Sequence, residues 1–284
     1  MDRPADRTVN GTGGGAGHAT GHGAGDGVGD GVGKDTVSGR LRGRVALVTG
    51  GTRGVGAGIA RALVEAGAEV LVCARRPPEV PVPGVEFRAV DLRDRTAVFD
   101  FVGRLPRLDV LVNNVGGSPY RPLASGDVER HARVVELNLI TPLTVSLAAY
   151  EHLKRARGSV VMIGSVSGSR PSPGTAAYGA AKAGLEHLAR SMAVEWAPDV
   201  RVNTLVVGMV RTELSHLHYG GSDGLDAVAR TVPAGRLADP SDIGGAVVFL
   251  ASDDAAYISG ASLLMHGGGE RPAFLDAATA NKER

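Results

Sequence analysis

The stretch V-A-L-V-T-G-G-T-R-G-V-G, residues 45–56, decides the fold. Five apolar or β-branched residues in a row predict a short strand buried on both faces. Four closely spaced glycines, Gly50, Gly51, Gly54 and Gly56, then turn the chain, and Ile59, Leu63 and Ala66 recur at helical spacing before Gly67 ends the helix. Strand, glycine turn and helix form the first half of a dinucleotide-binding unit. The glycines let the backbone approach a pyrophosphate, and the helix N-terminus offers free N–H groups and the positive end of its dipole. The spacing is T-G-x-x-x-G-x-G, which differs from the G-x-G-x-x-G of many dehydrogenases.

Working outward, a second apolar strand at residues 69–73 leads into Ala74, Arg75 and Arg76. At this distance past the glycines a carboxylate selects the ribose hydroxyl of NAD, whereas arginine accommodates the 2′-phosphate of NADP. No carboxylate occurs between Glu69 and Glu79, and Arg53 inside the glycine turn adds a further guanidinium. These residues favour NADP(H) over NAD(H) as cofactor. Further strands are expected at residues 86–90, 108–112, 159–164, 200–206 and 262–265, with helical patterns between most of them. That alternation predicts an α/β fold: a single Rossmann-type doubly wound parallel sheet of about seven strands, with helices on both faces. Ligands of such sheets bind beyond the carboxyl ends of the strands.

Composition narrows the function. The 31 basic and 30 acidic residues nearly cancel and aromatics make up 4%, so no nucleic-acid stripe or basic membrane face is expected. No run approaches the roughly 20 apolar residues of a membrane span, and the N-terminus lacks the apolar core of a secretory signal. The one cysteine, Cys73, lies in an apolar strand and reads as a buried, inert thiol in a reducing compartment. The cytoplasm is the expected location. Residues 1–40 hold 13 of the 42 glycines and read as a disordered tail, with His18 and His22 as solvated residues and no metal site. The folded domain is expected over residues 41–270, with residues 271–284 as a flexible C-terminal tail. A long loop segment is expected from Thr212 to Arg236, with residues 213–232 lining the substrate pocket.

Chemistry is expected in residues 165–182, S-V-S-G-S-R-P-S-P-G-T-A-A-Y-G-A-A-K. A strand delivers Ser165, a Gly/Pro/Ser-rich loop follows, and a helix carries Tyr178 and Lys182 on one face. A phenol titrates near pH 10, and a neighbouring cation favours its ionised form. An isolated Y-x-x-x-K pair is common on helix surfaces and carries no chemistry by itself. Upstream, Asn138 lies in an apolar helix four residues before Pro142. Proline has no N–H to offer the Asn138 carbonyl, so a kink with a carbonyl free to hold water is expected there.

Taken together, these motifs resemble the single-domain short-chain dehydrogenases/reductases over roughly residues 41–269. The resemblance rests on T-G-G-T-R-G-V-G, D-L at Asp91 and Leu92, N-N-V-G at residues 113–116, the helix Asn138, Ser165, Y-G-A-A-K and a closing G-G. It implies Tyr178 as general acid or base, and Ser165 as hydrogen-bond donor to the substrate oxygen. Lys182 would bind the nicotinamide ribose and draw the phenol down, and Asn138 would belong to a proton relay. It implies cofactor contacts from Gly50, Thr52, Gly54, Val55, Asp91, Leu92, Asn114, Val115, Gly116, Gly208, Val210 and Thr212, alongside Arg53, Arg75, Arg76, Tyr178 and Lys182. Val166, Arg170 and Met209 would line the substrate site with Ser165 and Tyr178. Three positions depart from the family pattern: Val115 for an alanine, Val207 for a proline and His266 for an aspartate.

The expected activity is therefore NADP(H)-dependent interconversion of a ketone and a secondary alcohol, by a homo-oligomer (tetramer or dimer) acting on a small molecule. Overall similarity points to lipid-like, steroid-like or acyl-thioester substrates. A non-catalytic NADP(H)-binding sensor of the same fold is the rival, since fold alone does not separate the two. The full set Asn138, Ser165, Tyr178 and Lys182 favours the enzyme. An epimerase or dehydratase acting on a sugar nucleotide is disfavoured, because little chain follows Thr212 to build a sugar-binding domain.

Overall fold

The structure, a computed structural model, describes residues 39–125 and 127–279. Most of the glycine-rich segment expected as a tail, with His18 and His22, lies outside the described residues, as do residues 280–284.

Seven parallel strands run in the order β3-β2-β1-β4-β5-β6-β7. They are β1 (Val45–Thr49), β2 (Glu69–Ala74), β3 (Val85–Ala89), β4 (Val110–Asn113), β5 (Ser159–Ser165), β6 (Arg201–Val207) and β7 (Ser262–Met265). The five inner strands are almost wholly buried, which is why they read as mostly apolar runs, with buried polar exceptions such as Asn113, Asn203 and Thr204; β3 and β7 are edges and stay more open. Successive side chains point to opposite faces. Ala46 and Val48 of β1 therefore pack with α1 (Gly54–Glu65) and α8 (Pro240–Ala251), through Ile59, Leu63, Ile243 and Val247. Leu47 joins the opposite face, with α2 (Arg95–Gly103), α4 (Thr141–Ala156) and α5 (Ala176–Glu195), through Val98, Val145 and Leu185. Each fully buried Leu or Ile contributes about 1.5–3 kcal/mol, so both layers are held by burial on a shared sheet.

The chain builds β1, β2 and β3 outward and then returns to place β4 against β1, in register at Leu47 and Leu111. The reversal opens a crevice at the carboxyl ends of β1 and β4, where ligands of such sheets bind. Helix ends are set locally: Asp94 accepts from the Ala97 N–H at 3.1 Å to start α2, and Asp127 from the Arg130 N–H at 2.7 Å to start α3 (Val128–Val135).

Three regions differ from the expectations. The helix through Asn138 does not simply kink at Pro142; a π turn at Glu136–Ile140 joins α3 to α4, and the Thr141 N–H reaches the Glu136 carbonyl. Pro142, at the start of α4, absorbs its missing donor at this irregular turn. The full run Val128–Ala156 is long and apolar enough to cross a membrane by length and composition, but Val145, Ala149 and Leu153 lie under the sheet as core. The loop segment expected from Thr212 to Arg236 contains α6 (His216–Tyr219) and α7 (Ser222–Thr231). Leu225, Val228, Ala229 and Val232, at helical spacing, pack there with Met209 and Leu237. Within the expected C-terminal tail, Ala273–Ala277 forms a short helix, α9.

Candidate active site

The cofactor end is built by backbone. Gly50 ends β1 with φ +66°, a conformation that glycine adopts without strain. A side chain at Gly56 would collide with the Gly50 carbonyl and crowd the Asn114 amide, so the helix can start this close only with glycine there. Asn114 locks the turn, its amide donating to the carbonyls of Thr49 at 2.9 Å and Gly50 at 3.1 Å. The Thr49 hydroxyl accepts from the N–H groups of Asn114 and Val115 at 3.0 and 3.1 Å. The larger Val115 side chain thus fits without disturbing the turn's bonds.

Helix α1 has no side-chain cap: Arg53 at its N-cap position is exposed and makes none. The Gly54 N–H instead donates to Oε1 of Glu213 at 2.9 Å. A carboxylate from the segment after β6 therefore rests on the N–H where a phosphate would be held, and Thr212 lies against Gly54 beside it. The glycine cradle accepts an anion, as a dinucleotide requires. Thr52 and Val55 flank this turn half-buried.

Charge gathers past β2, where the sequence predicts the 2′-phosphate contacts, and past β3. Arg75 and Arg76 stand exposed just past β2. Asp91, past β3, is held in a fork by Arg93, Nε to Oδ1 at 3.0 Å and Nη2 to Oδ2 at 2.6 Å. Hydrogen bonding from Arg93, with a smaller contribution from the charge of Arg75, pulls the Asp91 carboxyl down to about 2. Leu92 beside it is buried.

The catalytic candidates converge from three elements. Lys182, 3% exposed, donates from Nζ to the Ile163 carbonyl of β5 at 2.8 Å. A side chain built on Gly116 would meet both Asn138 Oδ1 and Lys182 Nζ, which brings the β4 loop, the π turn and α5 to one point. Asn138, fully buried, accepts from the Gly117 N–H at 2.8 Å and donates to the carbonyls of Gly117 at 2.9 Å and Val134 at 2.8 Å. Its amide fastens the β4 loop to the π turn, a part that the expected relay role did not include. Ser165 ends β5 and accepts from the Ser167 N–H at 3.2 Å, and its hydroxyl acts on the Tyr178 phenol closely enough to lower it in part.

Titration behaviour departs from one expectation. The Lys182 charge was expected to draw the Tyr178 phenol down. Burial instead pushes the phenol above its ordinary value, with only partial relief from the Ser165 hydrogen bond. Burial also pulls the Lys182 ammonium down to about 8, its Nζ standing 5.7 Å from the centre of the Tyr178 ring.

The residues expected to line the substrate lie in the turn after β5 and in the segment after β6. Val166 opens a short 3₁₀ turn, and its carbonyl accepts from the Arg170 N–H at 3.1 Å. Met209 is partly taken up by the α7 cluster. Gly208 donates to the Met265 carbonyl at 2.9 Å, and a side chain there would press on His266. Val210 bridges to Ala238. Arg93 and Glu270 escaped the sequence reading, and Glu213 and Tyr219 were given no individual contact by it. Arg93, two residues past Asp91, was readable from its position. Glu213 and Tyr219 lay in the segment read as loop, and Glu270 meets Arg170 across 100 residues of chain. Among the described residues, no three His, Cys, Asp or Glu side chains gather to hold a metal ion. Burial pushes the Cys73 thiol up to about 12, which leaves it inert.

This arrangement offers a proton donor, a hydroxyl beside it and a buried cation, all next to a dinucleotide cradle. Known proteins share the framework. A family described as enoyl-(acyl carrier protein) reductase matches residues 50–270. L-fucose dehydrogenase of Oryctolagus cuniculus is 34% identical over 246 residues, covering 81% of this chain and 86% of the relative. The 3-oxoacyl-[acyl-carrier-protein] reductase of Vibrio cholerae is 35% identical over 240 residues, 80% of this chain and 98% of the relative. Among solved structures, ligand-free aldohexose dehydrogenase of Thermoplasma acidophilum superposes with a TM-score of 0.77 at 27% identity, covering 81% of this chain and 95% of that one. The chain belongs to the short-chain dehydrogenase/reductase family of oxidoreductases, which act on alcohols and ketones with nicotinamide dinucleotides.

Proposed function

We propose that this protein interconverts a ketone and a secondary alcohol with NADP(H), and that Tyr178 handles the proton. The observation that carries this reading is the convergence of Ser165 at the end of β5 with Tyr178 and Lys182 of α5, the buried Lys182 Nζ standing 5.7 Å from the centre of the Tyr178 ring and donating to the Ile163 carbonyl of β5. A bound nicotinamide supplies or accepts the hydride. Gly50, Gly54, Asn114 and Gly116 would shape its cradle, and Arg75 and Arg76 would meet a 2′-phosphate.

Burial keeps the Tyr178 phenol protonated at neutral pH, so in carbonyl reduction it donates its proton to the substrate oxygen. Ser165 donates a hydrogen bond to the same oxygen as charge develops on it. The phenolate left behind faces the Lys182 ammonium, which stabilises it until a proton returns from solvent. In alcohol oxidation Tyr178 accepts the proton instead. Asn138 holds Gly117 and so keeps the wall of the site in place. The relatives' names span sugars and acyl thioesters, so they leave the substrate open.

Tyr178→Phe tests the proposal. It should retain cofactor binding, measured by titration, while turnover of an accepted ketone falls by about 10²–10⁴-fold. Near-normal turnover would refute the assignment. Bound cofactor with no turnover of any carbonyl or alcohol by the unaltered protein would favour a dinucleotide sensor. A cytoplasmic location remains part of this proposal, supported by the single buried thiol.

A further inference from the structure

An ion pair that the proton chemistry does not use stands at the substrate side. Arg170 follows Ser165 by five residues, and its N–H is pinned to the Val166 carbonyl at 3.1 Å. The backbone that presents Ser165 therefore also places this guanidinium. Arg170 donates from Nη2 to Oε1 of Glu270 at 2.6 Å and from Nη1 to the Pro171 carbonyl at 3.3 Å. Glu270 comes from the segment after β7, and the adjacent Arg271 N–H donates to the Thr231 carbonyl at the end of α7 at 3.0 Å. Burial holds the Tyr219 phenol of α6 above its ordinary value, and the charges of Arg170, which lowers it, and Glu270, which raises it, also act on it.

The pair is well placed to open. Its side chains are 41% and 34% exposed, and an ion pair so accessible is worth only about 0–1 kcal/mol. The planar guanidinium suits a carboxylate, and the group resting on it is a carboxylate. Exchange of one carboxylate for another keeps the charge balance and the hydrogen bonds of Arg170. A neutral substrate offers no such replacement.

We propose that Arg170 binds the carboxylate of an oxo-acid or hydroxy-acid substrate, and that Glu270 is the resident carboxylate which the substrate displaces. The inference rests on the ketone/alcohol reading of Ser165 and Tyr178, and adds the substrate's chemical class. Arg170 then fixes orientation, since an anchored carboxylate presents the carbonyl carbon at a set distance along the chain.

The opposite roles of the two residues make the test decisive. The full chain with NADPH is assayed on straight-chain oxo acids of increasing length and on their methyl esters, which differ only in charge. The ratio of kcat/KM for acid over ester is the readout. The unaltered protein should favour the best acid by about tenfold or more, as expected for one hydrogen-bonded charge. Arg170→Gln should bring the ratio to about one, mainly through KM, and Arg170→Lys should restore part of it. Glu270→Gln should raise the ratio severalfold by removing the competitor. If Arg170 and Glu270 merely pin the C-terminal segment, both glutamine variants shift the ratio alike or not at all, which overturns the proposal. A larger gain with phosphate esters of the same ketones overturns the carboxylate assignment. Calorimetric titration of the protein–NADP⁺ complex with the matching hydroxy acids and their esters reads the preference without turnover. Acid preference there with no turnover refutes the oxidoreductase reading and keeps this one. Turnover of esters and acids alike does the reverse.

Discussion

At the scale of single residues, the site's charges oppose its burial, and that opposition can be measured. Lys182 is buried with an ammonium pulled down to about 8 from its ordinary 10.5. Below pH 8 the group is charged in both the folded and the unfolded chain, and the whole burial penalty weighs on the folded state. Between pH 8 and 10.5 the unfolded chain binds more protons, so stability rises with pH in that window. Lys182→Met abolishes the titration, and its loss of the Ile163 contact is independent of pH. Comparing urea unfolding at pH 7 and pH 10.5 should therefore show wild type gaining roughly 2–3 kcal/mol on the variant. An unchanged gap would mean that the ammonium is not desolvated. The arginines past β2 give a second expectation: Arg75→Ala should weaken NADPH binding about tenfold or more while barely affecting NADH, by fluorescence titration. Equal losses would remove the 2′-phosphate argument. Sequence position alone placed Arg75 just past β2, because its distance from the glycines is set along the chain. It was not enough for Glu213, whose place on Gly54 depends on how the segment after β6 folds back.

At the scale of elements, α1 and α8 touch so closely that glycine decides the contact. A side chain at Gly58 would collide with Pro240, and one at Gly244 would crowd Ala62. Gly245, one residue further along α8, faces open space. Gly58→Ala should destabilise the fold by about 1–3 kcal/mol through overpacking. Gly245→Ala should be neutral or stabilising by up to about 1 kcal/mol through helix propensity. Denaturant midpoints of the two variants that moved together would disprove the close packing. The π turn at Glu136–Ile140 shows why elements outrun sequence reading. Pro142 announces an irregularity, but whether the chain kinks or widens there depends on what Asn138 can bond, and its partners Gly117 and Val134 come from two different segments. Helix α7 is the opposite case. Leu225, Val228, Ala229 and Val232 carry a readable helical period, and the glycines and polar residues around them hid it.

At the scale of the whole molecule, the two-faced sheet leaves some apolar surface uncovered. Leu147 of α4 is 52% exposed, Val194 of α5 79% and Leu264 of β7 56%. A second copy of the chain is the simplest cover for such residues. We expect a dimer or tetramer by light scattering at micromolar concentration, and a monomer would refute it. A parallel sheet of about seven strands with helices on both faces was legible in the amino-acid sequence, because buried strands and amphipathic helices announce themselves by period and by breaks at glycine, whereas the strand order came from the structure. The glycine turn after β1 and the placing of Tyr178 and Lys182 on one helix were likewise legible, since a helix or a turn fixes spacing within a few residues. Only the tertiary structure brought Glu213 to Gly54, Glu270 to Arg170, and Asn138 with Lys182 to Gly116. Those meetings join segments far apart in the chain, and no local period encodes them. Tertiary burial also reversed the expected shift of the Tyr178 phenol, because desolvation depends on everything packed around a group rather than on its neighbours in sequence.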